Sequence, residues 1–149
     1  MSDVVDMPRK EVPPPLELVK ERIDEVLPPD VQGEVEAGEV AIVDTREPEK
    51  FEQGHIPGAV NVPAGENGVD SHSADFATKF AEATEGKPAL LYCNTGNRSA
   101  RAADALTNEH GVEGARSLVG GVKLWDDLGL PVEGTVEVEE ETDEEEDED

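Results

Sequence analysis

The sequence predicts an α/β fold built on a mostly parallel central sheet, and three observations lead there. Val40-Ala41-Ile42-Val43 and Ala89-Leu90-Leu91-Tyr92 are apolar runs of strand length, the pattern of strands buried on both faces. Ala115-Arg116-Ser117-Leu118-Val119 is a third strand-like run. Segments of helical period separate these runs, so strand and helix alternate along the chain. With 149 residues the chain is long enough for one hydrophobic core and short for two. It has only three Phe, one Tyr and one Trp, so the core must be built from Val, Leu, Ile and Ala.

Taken in order, residues 1–14 mix charge with Pro8, Pro13 and Pro14 and predict a flexible arm. Residues 15–133 are the expected folded domain, and 134–149 an acidic disordered tail. Leu16, Val19, Ile23, Val26 and Leu27 recur at helical spacing, with Glu17, Lys20, Glu21 and Arg22 opposite. Pro28 and Pro29 should end that helix, and 31–38 add a short further turn. The first strand delivers Asp44-Thr45-Arg46-Glu47 to its C-terminal end, the edge where open α/β sheets gather ligands. A short helix over 48–53 stops at Gly54, and 55–59 lead into a brief strand at Val60-Asn61-Val62. Phe76, Ala77 and Phe80 share one face of a helix over 73–84, with Ser71 or Ser73 as its cap. Gly120-Gly121 breaks the strand at 115–119, and a last helix over 122–128 is closed by Gly129 and Pro131. Trp125 should anchor that helix in the core, whereas His72 and His110 read as surface residues. There are no internal repeats.

Thirty-seven acidic residues against twelve basic give a formal charge of −25, which argues against nucleic acid as a partner. Eleven of the acids fall in 134–149, yet the remainder still carries −14. An acidic body with few lysines suggests adaptation to high salt, where the Debye length falls to about 3 Å at 1 M. Residues 1–15 lack the apolar core of a signal peptide, and no apolar run approaches the ~20 residues of a membrane span. One cysteine can form no internal disulfide and fits a reducing compartment. We therefore expect a cytoplasmic protein without membrane contact.

That cysteine, Cys93, opens the stretch Cys93-Asn94-Thr95-Gly96-Asn97-Arg98-Ser99, between the apolar run 89–92 and a helix over 100–106. The first N–H groups of a helix have no partner inside it and carry its positive end. A cysteine just ahead of them, with Arg98 and Arg101 nearby, is placed to act as a thiolate nucleophile. Gly96 lets the backbone curl, and Asn94 and Asn97 tolerate unusual dihedrals, a composition suited to an anion nest. Read blandly, Cys93 is a small apolar residue ending a core strand; the polar loop argues against that. His55 beside Gly54 reads as a hydrogen-bonding brace rather than a base. Arg46 either reaches toward the cysteine loop or pairs with Asp44 or Glu47.

Four segments together, Asp44-Thr45-Arg46-Glu47, Gly54-His55-Ile56-Pro57-Gly58-Ala59, Tyr92-Cys93-Asn94-Thr95-Gly96-Asn97-Arg98-Ser99 and Leu118-Val119-Gly120-Gly121 through Trp125, resemble a single-domain rhodanese in order and spacing. The resemblance covers about 40–131 and implies a three-layer domain. It also implies a sulfurtransferase in which Cys93 is catalytic and 94–98 form the active-site loop. Asn94, Thr95, Gly96, Asn97 and Arg98 would cradle the substrate, with Arg46 as a further candidate for holding it. The partners it implies are a small anionic sulfur donor and a thiol, cyanide or protein acceptor, with no metal or organic cofactor. Cysteine phosphatases share the fold but place five residues between cysteine and arginine, where this chain has four. A recognition module without catalysis is the alternative from another class. Physiological donor, acceptor and oligomeric state are left open.

Overall fold

Five strands lie parallel in the order β1 (Asp24–Val26), β6 (Ala115–Leu118), β5 (Ala89–Tyr92), β2 (Ala41–Asp44) and β4 (Val60–Asn61) in a computed structural model that describes residues 15–136. The expected arm at 1–14 and the stretch 137–149 of the expected tail lie outside the described residues. Successive strand residues point to opposite faces. Val43, Ala89, Leu91 and Ala115 therefore look one way, and Ile42, Leu90, Tyr92 and Leu118 the other. The first face is closed by Phe76 and Phe80 of α4 (Ala74–Thr84) and by Ala102 and Leu106 of α5 (Asn97–Asn108). The second is closed by Val31 of α2 (Pro28–Ala37) and by Val122 and Trp125 of α6 (Gly121–Asp127). The α/β class, the mostly parallel sheet and the three layers are as expected.

Local chemistry explains most boundaries. Ser73, not Ser71, caps α4: its hydroxyl accepts the Phe76 N–H at 3.0 Å, while the Ser71 hydroxyl turns to Gly68 O. Trp125 is buried and donates its indole N–H to Pro131 O at 2.8 Å, which seats α6.

The first helix departs from expectation. α1 (Leu16–Glu21) stops well before the prolines, and residues 24–26 leave it to form the edge strand β1 beside β6. Pro28 and Pro29 open α2 instead of ending α1, because a missing N–H costs nothing in a first helical turn and the ring presets φ. The short α1 is held down by buried Val19 and by Arg22, whose Nε and Nη2 donate to both oxygens of Asp104 on α5 at 2.7 and 2.9 Å.

The short α3 (Pro48–Gln53) runs directly into β3 (Gly54–His55), which pairs antiparallel with β7 (Glu133–Gly134). The Thr135 N–H donates to Gln53 O at 2.8 Å, and Val136 packs against the core. A Cβ on Gly54 would lie 2.3 Å from Thr135 O, so this pairing requires glycine there. His72 is exposed beside Glu109, whereas His110 is half-buried and meets Ser71 O at 3.0 Å, which corrects its reading as a surface residue.

Candidate active site

Cys93 follows the last residue of β5, the central strand, at the C-terminal edge of the sheet. Its side chain is 1% exposed. Three residues later the chain enters α5, with Gly96 as N-cap at φ +104. A Cβ on Gly96 would come within 3.1 Å of Gly120 N and 3.2 Å of Leu118 O, so the tight turn depends on glycine. The turn folds two backbone donors onto the sulfur: Gly96 N–H at 3.2 Å and Ser99 N–H at 3.3 Å. Both belong to the start of α5, where the helix dipole favours negative charge. Asn97 and Arg98 already lie in the first turn of α5, so the loop proper is Asn94, Thr95 and Gly96.

The loop keeps its donors pointed at the sulfur because its carbonyls are held elsewhere. Cys93 O accepts the Val122 N–H at 2.9 Å and Asn94 O accepts the Lys123 N–H at 3.1 Å, both from the opening turn of α6. This seam needs Gly121, where a Cβ would fall 2.4 Å from Asn94 O and 2.6 Å from Cys93 O. Beside the sulfur, the Ser99 hydroxyl lies 3.6 Å from Sγ and 2.9 Å from the hydroxyl of Ser117 on β6. Ser99 and Ser117 are fully buried. Asn94 Oδ1 is buried without a hydrogen-bond partner among the described residues.

Arg46 was expected either to reach toward the cysteine loop or to pair with Asp44 or Glu47, and it pairs with Asp44. Arg46 is buried and committed to structure: Nε and Nη2 donate to Asp44 at 3.0 and 2.7 Å, and Nη2 also donates to Gly54 O at 2.7 Å. Burial alone would lower the guanidinium's pKa, but hydrogen bonds and charge from Asp44 outweigh it and leave it raised. The same cluster contains Tyr92, whose hydroxyl accepts the Ile56 N–H at 3.0 Å and is pushed up by burial and by the Asp44 charge. His55 is placed as a brace: Nδ1 lies 2.8 Å from Phe51 O, the ring stacks on Phe51, and Nε2 is 3.2 Å from Glu133.

What β2 does send toward the loop is Glu47. Its Oε1 lies 3.6 Å from Nη1 of Arg98, and that same nitrogen is 3.5 Å from Thr45 O. The Arg98 side chain is 5% exposed and the Glu47 side chain 54%. Partial burial would push the Glu47 carboxyl up, but a backbone N–H and the Arg98 charge more than offset this and hold it below the usual carboxylate range. The structure thus brings Cys93, Asn94, Thr95, Gly96, Asn97 and Arg98 together and leaves Arg46 out. It adds Ser99, Ser117, Gly121 and Glu47, which sequence reading did not single out. Ser99 stood inside the motif itself, and a serine in a buried strand was a weak signal for Ser117. Nothing local marked Glu47 over Arg46.

Among the described residues, no group of three or more His, Cys, Asp or Glu is placed to hold a metal ion. None of their helices is long and apolar enough to cross a membrane. Grooves of about 640 Å³ and 230 Å³ lie near the starts of strands, away from Cys93.

A family model described as the rhodanese-like domain matches residues 27–128. An HTH-type transcriptional regulator of Mycobacterium tuberculosis is 38% identical over 100 residues, which are 66% of this chain and only 39% of the regulator. Thiosulfate sulfurtransferase 16, chloroplastic, of Arabidopsis thaliana is 35% identical over 92 residues, 60% of this chain and 76% of that protein. A solved structure from Rhodopseudomonas palustris, of unknown function and described as a possible tyrosine phosphatase, is similar with a TM-score of 0.64 and 30% identity. That match covers 79% of this chain and 90% of the other.

Proposed function

The chain belongs to the rhodanese-like domain family, and on that premise we propose that it transfers a sulfane sulfur from a donor to a thiophilic acceptor through a persulfide on Cys93. The observation that carries this reading is the pair of N–H groups, from Gly96 and Ser99, converging on Sγ at 3.2 and 3.3 Å. With thiosulfate as donor, the Cys93 thiolate attacks the outer sulfur. The new S–S bond forms as the bond to the sulfonate sulfur breaks, and sulfite leaves with the electron pair. The enzyme keeps one negative charge, now on the terminal sulfur of the persulfide. A thiol or cyanide then removes that sulfur and restores the thiolate, which is ping-pong chemistry. The converging N–H groups hold the anionic sulfur in a site closed to water, where such donors act most strongly. Arg98 supplies positive charge near the cradle.

The test is the intact mass of the protein after incubation with thiosulfate in high salt, beside a Cys93→Ser variant. A gain of one sulfur atom that requires Cys93 and is reversed by cyanide, with thiocyanate released, is the expected result. If folded protein gains no sulfur from thiosulfate, mercaptopyruvate or a persulfide, a binding role becomes the better reading. A phosphate ester serves as the control for phosphatase chemistry. With four residues between Cys93 and Arg98 the cradle suits one sulfur atom, and no phosphate release is expected.

A further inference from the structure

The site holds its arginine in an unusual condition for a pocket that must attract anions. Arg98 stands in the first turn of α5, the same turn whose Ser99 N–H reaches Cys93 Sγ. Its Nη1, however, already faces two oxygen acceptors, Thr45 O at 3.5 Å and the Glu47 carboxylate at 3.6 Å. Glu47 is half exposed while Arg98 is buried, so the carboxylate is the partner of this pair that faces solvent. Arg46, just past the end of β2, is neutralised by Asp44. The loop side chains Asn94, Thr95 and Asn97 are uncharged. A dianion drawn to the Arg98 charge therefore has to compete with the Glu47 carboxylate.

We infer that Glu47 is a positioning residue that sets donor specificity: by holding Arg98 it discriminates against dianionic donors and favours those with one negative charge or none, such as the persulfide of a cysteine. This inference rests on the sulfurtransferase reading and adds the class of donor to it. The physical argument is that a carboxylate and a donor oxyanion compete for one guanidinium. A long ion pair with one partner open to solvent is weak enough to be displaced, yet a doubly charged competitor feels the carboxylate's repulsion twice. The effect must also fade with salt, since one partner is open to solvent.

The experiment compares wild type with Glu47→Gln and Glu47→Lys, using thiosulfate and cysteine persulfide as alternative donors and cyanide as acceptor, at fixed moderate ionic strength. The ratio of thiosulfate KM to persulfide KM should fall by ~2- to 5-fold in Glu47→Gln and further in Glu47→Lys. That difference should shrink at about 1 M salt. An unchanged ratio, or an equal shift for both donors, overturns the inference. A second arm measures equilibrium binding of thiosulfate to Cys93→Ser protein, with and without Glu47→Gln, by calorimetry. Should no donor load any of the proteins, the sulfurtransferase reading fails by itself. Tighter thiosulfate binding in the Glu47→Gln background would still uphold the role of Glu47, and equal binding would overturn it.

Discussion

Cys93 owes its surroundings more to backbone than to side chains, and that makes the contribution of individual side chains separable. Ser99 donates through its N–H whatever its side chain, so Ser99→Ala removes only the hydroxyl 3.6 Å from the sulfur. We expect sulfur transfer to slow by ~10-fold, less than the loss of a well-aligned oxyanion donor, because the contact is long. Single-turnover loading of Cys93 measures it, and an unchanged rate would mean that the backbone alone suffices. Asp44 and Arg46 behave differently, because both are buried and each is the other's ion-pair partner. Asp44→Ala leaves a buried guanidinium without its carboxylate and should cost about 3–5 kcal/mol in denaturant unfolding. A cost under about 1 kcal/mol would show that Gly54 O and Tyr92 hold Arg46 without Asp44. At this scale the sequence already groups Cys93 with Arg98, since the two lie within one local motif. It left Arg46 with two possible roles, because proximity in sequence does not say which way a side chain turns.

Between elements, the decisive contact is the seam where α6 opens against the cysteine loop. Gly121 was read as part of a strand-breaking pair; it is the first residue of α6 and lets the Val122 and Lys123 N–H groups reach the loop carbonyls. In Gly121→Ala the added Cβ would meet backbone at 2.4 Å, from a residue at φ +60, so the loop must shift. Loss of sulfur loading together with lowered stability is expected, and normal loading would show that the seam is not needed. Gly33, inside α2, has no positive φ, and a Cβ added there would meet nothing within 4 Å. Gly33→Ala should therefore stabilise the protein by about 0.5–1 kcal/mol with no change in loading, read from urea midpoints. The misplaced helix end has the same lesson. Apolar residues 16–27 keep a helical period, but the hydrogen bonds of residues 24–26 go to β6, and periodicity cannot tell a helix from an edge strand joined to a short helix.

For the whole molecule, charge is the dominant variable. A formal charge of −25 opposes compaction and repels anions, and salt screens both effects. The unfolding midpoint should rise between about 0.1 M and about 2 M KCl, and the thiosulfate KM should fall or stay level over that range. A steep rise in KM with salt would mean that salt anions compete at the Cys93 loop more strongly than screening helps. The sequence by itself determined the α/β class and the strand–turn–helix around Cys93. It also determined the glycine at the tight turn, because periodicity, caps and turn residues act over a few neighbouring positions. Only the tertiary structure decided that β5 is central, that Ser117 stands behind Ser99, that Gly121 seals the loop, and that Glu47 rather than Arg46 meets Arg98. These contacts join residues far apart in the chain, and strand order and register bring them together; no local pattern encodes either.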